Sequence, residues 1–276
     1  MIEILKAILF GIVEGITEWL PISSTGHMIL LDEFVQLNVS KDFMDMFLVV
    51  IQLGAILAVV VLFFSKIFPF NFVKEKGPFL RKDVWVLWFK ILVACVPAAI
   101  IGLLFDDVFE ALFYNYVTVA AMLILFGILF IIIEKRNQNR KPKVKALSEI
   151  TYTTALLIGV FQLIAAIFPG TSRSGATILG ALLIGVSRTV AAEFTFFLAI
   201  PVMLGASLLK IVKFGFAFSG QELMILLIGM IVAFIVSILV IRFLMDYIRK
   251  HNFIVFGWYR IVLGVIVFIY FIAKNF

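Results

Sequence analysis

The chain has 276 residues, of which 64% are hydrophobic, and its mean hydropathy is +1.19. This composition excludes an ordinary soluble domain and predicts a single polytopic membrane domain without linkers. The formal net charge of +6 is attributed to loops on the cytoplasmic side of a membrane and not to a nucleic-acid partner.

The first 35 residues predict two short helices around a polar turn. Residues 4–16 have an apolar helical pattern but fall short of the about 20 residues that one crossing needs. Pro21 breaks this run, and a polar turn at residues 22–27 precedes a second short apolar run, residues 28–35. These features predict a re-entrant hairpin, which is tolerated at membrane depth where protein or water surrounds it. We expect no removable signal peptide, since no basic segment and cleavage site begin the chain.

Three spans are predicted next, at residues 43–64, 84–105 and 116–133. The loops after the first and third spans are basic, whereas the loop after the second is acidic. The charged residues are Lys66, Lys74, Lys76, Arg81 and Lys82 in the first loop, Asp106, Asp107 and Glu110 in the second, and Lys135, Arg136, Arg140, Lys141, Lys143 and Lys145 in the third. The positive-inside rule therefore places the two basic loops in the cytoplasm and the acidic loop outside.

Residues 150–186 predict a second interrupted hairpin, followed by spans at residues 191–212, 223–241 and 254–272. Residues 169–177 form the turn of this second hairpin. A proline there ends the first apolar run, and hydroxyl side chains and an arginine follow it. A helix N-terminus with hydroxyl groups and a guanidinium that has no nearby carboxylate predicts a phosphate site. Diphosphate binding is therefore assigned to Gly170, Thr171, Ser172, Arg173, Ser174 and Thr177.

The two halves of the chain, approximately residues 1–134 and 148–276, predict an inverted repeat. Each half has one hairpin and three spans, so the halves have opposite orientations in the membrane. At an offset of 148 positions, Gly11, Pro21, Ser24 and Glu14 correspond to Gly159, Pro169, Ser172 and Gln162. Inverted repeats with broken helices place a site near the midplane, where the two breaks meet. The predicted fold is an all-α polytopic membrane protein with six transmembrane helices plus two re-entrant helical hairpins and both termini outside.

Glu14 and Glu18 are four residues apart and therefore lie on one face of the first helix. Two carboxylates in an apolar run repel each other, so one is protonated or a cation sits between them. A hard divalent cation, Mg²⁺ or Ca²⁺, suits carboxylates and phosphate better than zinc does. Both residues are predicted to be catalytic and to bind this cation.

The turn after the two acids supplies Ser24 and His27, and the second hairpin supplies Arg173. Acids, a histidine, hydroxyl groups and an anion-binding arginine together are typical of phosphoryl transfer, although the sequence has no P-loop pattern. Ser24 is the predicted nucleophile, with His27 and Glu18 handling its proton. Attack by His27 itself and attack by water activated by Glu18 remain alternatives.

Two segments carry a family resemblance: residues 14–27, with two acids four positions apart before a Pro-Ile-Ser-Ser-Thr-Gly-His turn, and residues 169–177, Pro-Gly-Thr-Ser-Arg-Ser-Gly-Ala-Thr. The whole chain resembles the undecaprenyl-diphosphate phosphatase family, also called BacA. The resemblance implies hydrolysis of undecaprenyl diphosphate to undecaprenyl phosphate and phosphate, which recycles the lipid carrier for peptidoglycan synthesis, and bacitracin resistance. It also implies a bacterial cell membrane location, a site open to the external side and divalent-cation dependence. The functional positions that it implies are Glu14, Glu18, Ser24, His27, Ser172, Arg173 and Thr177.

Two other functions compete with this interpretation. Inverted repeats with broken helices are typical of transporters, so a flippase for the lipid carrier is the alternative. A membrane phosphatase of the type-2 phosphatidic acid phosphatase kind is disfavoured, because the chain has no Lys…Arg-Pro motif and no histidine shortly after Arg173. The expected partners are a polyprenyl diphosphate substrate and membrane lipids, without nucleic acid, and a homodimer is left open.

Overall fold

The computed structural model describes residues 1–72, 78–215 and 217–275, except for the side chains of Leu103, Asp106, Asp107, Glu110 and Asn275. Within these ranges there is no β-strand, and twelve α-helices and a short 3₁₀ turn at Leu147–Glu149 form the fold. The helices are α1 (Ile2–Thr17), α2 (Ser24–Phe34), α3 (Lys41–Val50), α4 (Gln52–Leu62), α5 (Phe64–Ile67), α6 (Lys82–Phe113), α7 (Tyr116–Asn137), α8 (Tyr152–Ile167), α9 (Arg173–Leu183), α10 (Arg188–Phe214), α11 (Gly220–Lys250) and α12 (Ile254–Asn275).

Six segments of the described chain are long and apolar enough to cross a membrane, which confirms the predicted all-α fold with six spans. They are Lys41–Leu62, Lys82–Gly102, Tyr116–Asn137, Arg188–Phe214, Gly220–Lys250 and Ile254–Lys274. The first of them consists of α3 and α4, which meet at Ile51. A segment that crosses a membrane must satisfy its own backbone hydrogen bonds, and apolar helices do so because every such bond is made inside the segment.

The acidic loop predicted after the second span is wrong in its secondary structure. Helix α6 continues to Phe113, so positions 106, 107 and 110 are helical, and only Tyr114 and Asn115 separate α6 from α7. No proline or glycine interrupts residues 103–113, and the helix ends where the Asn115 side chain accepts the Thr118 N–H and begins α7. The side chains of Asp106, Asp107 and Glu110, and Lys74 and Lys76 of the first basic loop, lie outside the described residues.

The two predicted interrupted hairpins form helix pairs, α1 with α2 and α8 with α9. The Glu3 carboxylate accepts from the Asn38 N–H at 2.8 Å, so the start of α1 lies beside the end of α2. The Lys143 N–H donates to the Gly185 carbonyl at 2.8 Å, which brings the chain before α8 to the end of α9. Each pair thus returns to the end of the molecule from which it starts, and its re-entry into a membrane stays a prediction.

The turns inside these pairs are shorter than the polar sequences suggested, because α2 begins at Ser24 and α9 at Arg173. Ser23 is the N-cap of α2, with φ of 74°, and its hydroxyl accepts the Gly26 N–H. Ser172 is the N-cap of α9, with φ of 69°, and accepts from Gly175 in the same way. Because the caps satisfy early N–H groups of each helix, α2 begins at Ser24, and His27 lies in its first turn instead of in a loop.

Small residues allow the hairpin helices to pack closely on the long helices. Helix α1 packs along α11 and α8 along α6, while α7 pairs with α12. A methyl group added at Gly159 of α8 would lie 2.3 Å from the Ala94 carbonyl oxygen of α6, and one at Gly11 of α1 would lie 2.6 Å from the Gly229 carbonyl oxygen of α11. Glycine at these positions lets the backbones approach, as in membrane helix packing.

The turns of both pairs lie in the interior of the helix bundle. Every residue of α9 from Ser174 to Leu182 is buried. The Trp19 ring, which is fully buried just before the first turn, meets the Phe196 ring of α10 edge-on at 5.2 Å. This aromatic and aliphatic surrounding holds the polar turns in place and excludes water from most of their surface.

Candidate functional site

The turns of the two hairpins are in direct contact. Arg173 Nη2 lies 2.9 Å from Glu18 Oε1, and the Ser174 hydroxyl donates to the Glu18 main-chain oxygen at 3.1 Å. The partners are 155 and 156 positions apart in the sequence. The structure therefore brings the predicted acid of the first hairpin and the predicted anion clamp of the second into one network.

Glu18 also contacts the predicted nucleophile. The Ser24 hydroxyl donates to Glu18 Oε2 at 2.8 Å, so the two carboxylate oxygens serve Ser24 and Arg173 separately. The carboxylate is only 5% exposed. A buried, ionised carboxylate is stabilised by charge-assisted hydrogen bonds of this kind, and a carboxylate that already accepts a serine proton can take it as the oxygen attacks.

Arg173 retains hydrogen-bonding capacity. Its Nη1 donates to the Thr195 carbonyl at 3.1 Å, and its Nε has no hydrogen-bond partner. The residue opens α9, directly after the N-cap Ser172, and its side chain is 13% exposed. A partly exposed guanidinium at a helix N-terminus is suited to a phosphate group.

Glu14 lies one helical turn before Glu18, as the sequence predicted, and it is fully buried. Neither of its carboxyl oxygens has a hydrogen-bond partner. The Glu14 carboxyl group interacts electrostatically with the charges of Glu18 and Arg173. Among the described residues, no group of three or more His, Cys, Asp and Glu side chains is arranged to hold a metal ion. The two unpaired oxygens of Glu14 are of the kind that a hard cation prefers.

His27 is oriented by residues other than Ser24. Its Nδ1 lies 2.7 Å from the Ser23 carbonyl oxygen, and its Nε2 lies 2.7 Å from the Tyr259 hydroxyl of α12. We predicted that His27 and Glu18 together handle the Ser24 proton. In the structure the Ser24 hydroxyl donates to Glu18, whereas the two nitrogens of His27 contact Ser23 and Tyr259. Within the first turn of α2, Ser24 thus contacts Glu18 at the end of α1, and His27 contacts Tyr259 of α12.

Most of the predicted diphosphate-binding residues have their polar groups inside the turn. Gly170, Thr171, Ser174 and Thr177 are buried. The Thr177 hydroxyl donates to the Arg173 carbonyl at 2.9 Å and accepts from the Thr195 hydroxyl at 2.9 Å. Only Ser172 and Arg173 of this set are partly exposed, so these two can touch a ligand. The Ser174 hydroxyl donates instead to main-chain oxygens of the first hairpin, and the buried Thr171 hydroxyl has no hydrogen-bond partner.

The cap geometry also shifts the correspondence between the two hairpins. The 148-residue offset pairs Ser24 with Ser172, but the residues with positive φ and the same capping role are Ser23 and Ser172. An offset of 149 also pairs the hydrogen-bonding partners of the caps, Gly26 and Gly175. The sequence offset was set by the two prolines, but the cap follows Pro21 by two positions and Pro169 by three, so Pro21 is one residue closer to its cap than this offset implied.

Arg260 and Tyr259, both on α12, were missed at the sequence level. Arg260 is fully buried and donates to the carbonyls of Pro21 at 3.1 Å, Gly170 at 3.0 Å and Thr171 at 2.8 Å. It thus binds both turns at once. One signal was available, because Arg260 is the only charged residue of the apolar run 254–272, and intramembrane charges are commonly functional.

Comparison with known proteins gives consistent results. A family model described as "Bacitracin resistance protein BacA" matches residues 7–266. A protein named undecaprenyl-diphosphatase from Desulfitobacterium hafniense is 70% identical over 275 residues, which cover 100% of this chain and 98% of the relative. Undecaprenyl-diphosphatase 1 of Clostridium acetobutylicum is 66% identical, covering 98% of both chains, and undecaprenyl-diphosphatase of Enterococcus faecalis is 64% identical, covering 96% of both.

Proposed function

The chain belongs to the BacA family of bacitracin resistance proteins, and we propose that it hydrolyses undecaprenyl diphosphate to undecaprenyl phosphate and inorganic phosphate. The observation that carries this proposal is the contact of Glu18 with both Ser24 and Arg173. It joins a hydroxyl, a proton acceptor and an anion-binding group in one place, as phosphoryl transfer requires. The reaction returns the lipid carrier for peptidoglycan synthesis to its monophosphate form and accounts for bacitracin resistance.

Substrate binding begins at Arg173. The diphosphate competes with Glu18 for the guanidinium, and the partly exposed Ser172 and the N-terminus of α9 favour the anion. As Arg173 turns to the phosphate, it releases Glu18 Oε1, while Oε2 keeps its hydrogen bond from the Ser24 hydroxyl. Binding of the substrate therefore rearranges the ion pair beside the base.

The chemical step follows from the Ser24–Glu18 contact. The Ser24 oxygen attacks the terminal phosphorus, its proton passes to Glu18 Oε2, and the bond from this phosphorus to the bridging oxygen breaks to release undecaprenyl phosphate. Water then attacks the phosphoserine, phosphate leaves, and Ser24 regains a proton. Nucleophilic attack by His27 or directly by water are the rival schemes, and a phosphorylated Ser24 trapped by rapid quenching distinguishes them.

A divalent cation, Mg²⁺ or Ca²⁺, is proposed to bind at Glu14 and Glu18 together with the substrate. The support is the buried Glu14 carboxyl, whose oxygens have no hydrogen-bond partner. When bound, the cation supplies positive charge that neutralises the diphosphate. Arg173 and the α9 N-terminus orient the same phosphate from the second hairpin.

We propose that the protein lies in the bacterial cell membrane, with both termini and the opening of the site on the external side. The support is the basic character of the loops after the first and third spans. The ion pairs Arg188–Glu134 and Lys66–Glu193 join elements at the end of the molecule that carries these loops. Association of two chains into a homodimer stays a prediction.

Phosphate release from the purified protein tests this function. In detergent, without a membrane or gradient, the protein should release one phosphate per undecaprenyl diphosphate, and Glu18→Gln should nearly abolish release because it removes the proton acceptor but keeps the shape. A flippase would release none. An active Glu18→Gln protein, shown to be folded by an unchanged thermal unfolding midpoint, would contradict the assigned mechanism.

A further inference from the structure

The imidazole of His27 has a hydrogen-bond partner at each nitrogen. Nδ1 lies 2.7 Å from the Ser23 carbonyl oxygen, and Nε2 lies 2.7 Å from the Tyr259 hydroxyl oxygen. A carbonyl oxygen can only accept, so Nδ1 carries a proton. In the neutral ring Nε2 is then the acceptor, and the Tyr259 hydroxyl donates to it. The hydrogen-bond network thus assigns one tautomer of His27.

The same contacts fix the position of the ring. The His27 and Tyr259 rings are stacked, with centroids 5.6 Å apart and planes inclined by 7°. The Ser23 carbonyl belongs to the N-cap of α2, which has a positive φ and a hydroxyl bonded to the Gly26 N–H. Helices α2 and α12 therefore hold His27 from two sides, through residues 232 positions apart.

The Tyr259 hydroxyl can serve both charge states of His27. It donates to Nε2 of the neutral ring and accepts from Nε2–H once the ring is protonated, because a phenol is both donor and acceptor. The Ser23 carbonyl keeps the proton on Nδ1 in both states. Nε2 is consequently the nitrogen at which His27 gains or loses a proton.

We propose that Tyr259 is a positioning residue for the phosphatase reaction. Its hydroxyl keeps His27 in the Nδ1-protonated tautomer, so that Nε2 is the nitrogen that takes up and releases a proton. This inference rests on the proposed function, because it assigns the partner of a histidine in that site. Tyr259 acts through His27, whereas Glu18 is the group in contact with Ser24. Two proton-handling groups thus occupy separate places, Glu18 at the nucleophile and His27 with Tyr259 towards α12.

A ring that only packs against His27 would explain the stacking without the hydrogen bond. Tyr259→Phe separates the two roles, since it keeps the ring and removes the hydroxyl alone. Tyr270→Phe is the matched control, because Tyr270 lies on the same helix and its hydroxyl donates to Glu33 at 3.3 Å instead. The chain has two histidines, so His251 is an internal reference in a spectrum of histidine-labelled protein.

The first measurement is the ¹⁵N resonance pattern of the two imidazoles in the full-length protein. We expect Nδ1-protonated His27 in the unsubstituted protein and in Tyr270→Phe. In Tyr259→Phe we expect a displaced Nε2 resonance and a mixture of tautomers, with His251 unchanged. A His27 protonated only at Nε2, or an identical His27 signal in Tyr259→Phe, would overturn the proposal whether or not the protein is a phosphatase.

The second measurement is steady-state phosphate release. Tyr259→Phe should lower kcat about three- to tenfold with KM unchanged, the effect of one neutral hydrogen bond, and Tyr270→Phe should leave both constants unchanged. In a His27→Ala protein the Tyr259→Phe change should have no further effect, because its target is gone. A full additional loss in that background would overturn the proposal. Absence of phosphate release from the unsubstituted protein would refute the proposed function and leave the tautomer measurement as the test.

Discussion

Glu18 receives hydrogen bonds from residues of both hairpins. Its side chain accepts from Ser24 and Arg173, and its main-chain oxygen accepts from Ser174. A buried carboxylate needs such partners, because an unpaired charge in this environment costs several kcal/mol. At the residue scale, the same contacts that stabilise Glu18 without substrate are the contacts that a diphosphate rearranges.

Arg173→Ala should reduce turnover by at least about a hundredfold, the usual scale for removing a group that stabilises transition-state charge. Arg173→Lys should recover only part of the activity, because lysine keeps the charge but has one nitrogen in place of the planar fork whose two nitrogens donate to Glu18 and the Thr195 carbonyl. Phosphate release from both purified variants measures the effect.

Arg188→Ala is the control for this prediction. It also removes an arginine paired with a buried glutamate, Glu134, but at the other end of the bundle. We expect a lower thermal unfolding midpoint and nearly normal turnover. If Arg188→Ala and Arg173→Ala lost the same activity, the loss would report folding and not phosphate binding.

At the scale of the elements, helix α12 holds together the turns of the α1–α2 and α8–α9 pairs. These two turns are joined by neither a hydrogen-bonded sheet nor a disulfide. The Arg260 guanidinium donates to Pro21 in the first turn and to Gly170 and Thr171 in the second. Both turns expose carbonyls because a proline or a cap interrupts the helical ladder, and a buried carbonyl without a donor is costly. Arg260 satisfies these carbonyls and sets the distance between the turns.

Arg260→Met should lower the free energy of unfolding by about 3–5 kcal/mol, because several buried carbonyls lose a charged donor at once. The free energy of unfolding of Arg260→Lys should lie between those of Arg260→Met and the unsubstituted protein, since one ammonium group reaches fewer carbonyls. Lys274→Met, at the exposed end of α12, should change stability by less than about 0.5 kcal/mol. Denaturation in detergent measures all three, and an unchanged Arg260→Met protein would exclude the clamp.

At the scale of the whole molecule, the hairpin of each half packs on a long helix of the other half. Helix α1 lies along α11 and α8 lies along α6, which is the arrangement that exchange of two inverted halves would produce. The inverted repeat stays a prediction, and this pairing supports it. Each hairpin returns to its own end of the bundle, so the two turns approach each other from opposite ends.

The orientation of the bundle can be measured with single cysteines, after Cys95, the only native cysteine, is replaced by alanine. A membrane-impermeant thiol reagent applied to intact cells should label Lys41→Cys and Gln221→Cys. It should label Lys141→Cys and Lys250→Cys only after the cells are opened, because the positive-inside rule puts these basic segments in the cytoplasm. The reverse pattern would contradict the external location of the termini and of the site.

Much of the architecture could be predicted from the sequence alone. The six spans follow from composition, since lipid tolerates only segments that satisfy their backbone internally. Proline, glycine and serine placed the two turns, and the four-residue spacing put Glu14 and Glu18 on one helix face. These features depend on residues close together in the chain, so local physical chemistry determined them.

The tertiary structure decided which side chains meet. That Ser24 donates to Glu18, that His27 faces Tyr259 and that Arg260 joins the two turns depends on the rotation and depth of each helix. Rotation and depth are set by contacts between distant helices, such as Gly159 of α8 against Ala94 of α6. The sequence by itself therefore determined the helices, the turns and the residue types of the site, and the packing of helices from both halves determined its hydrogen bonds.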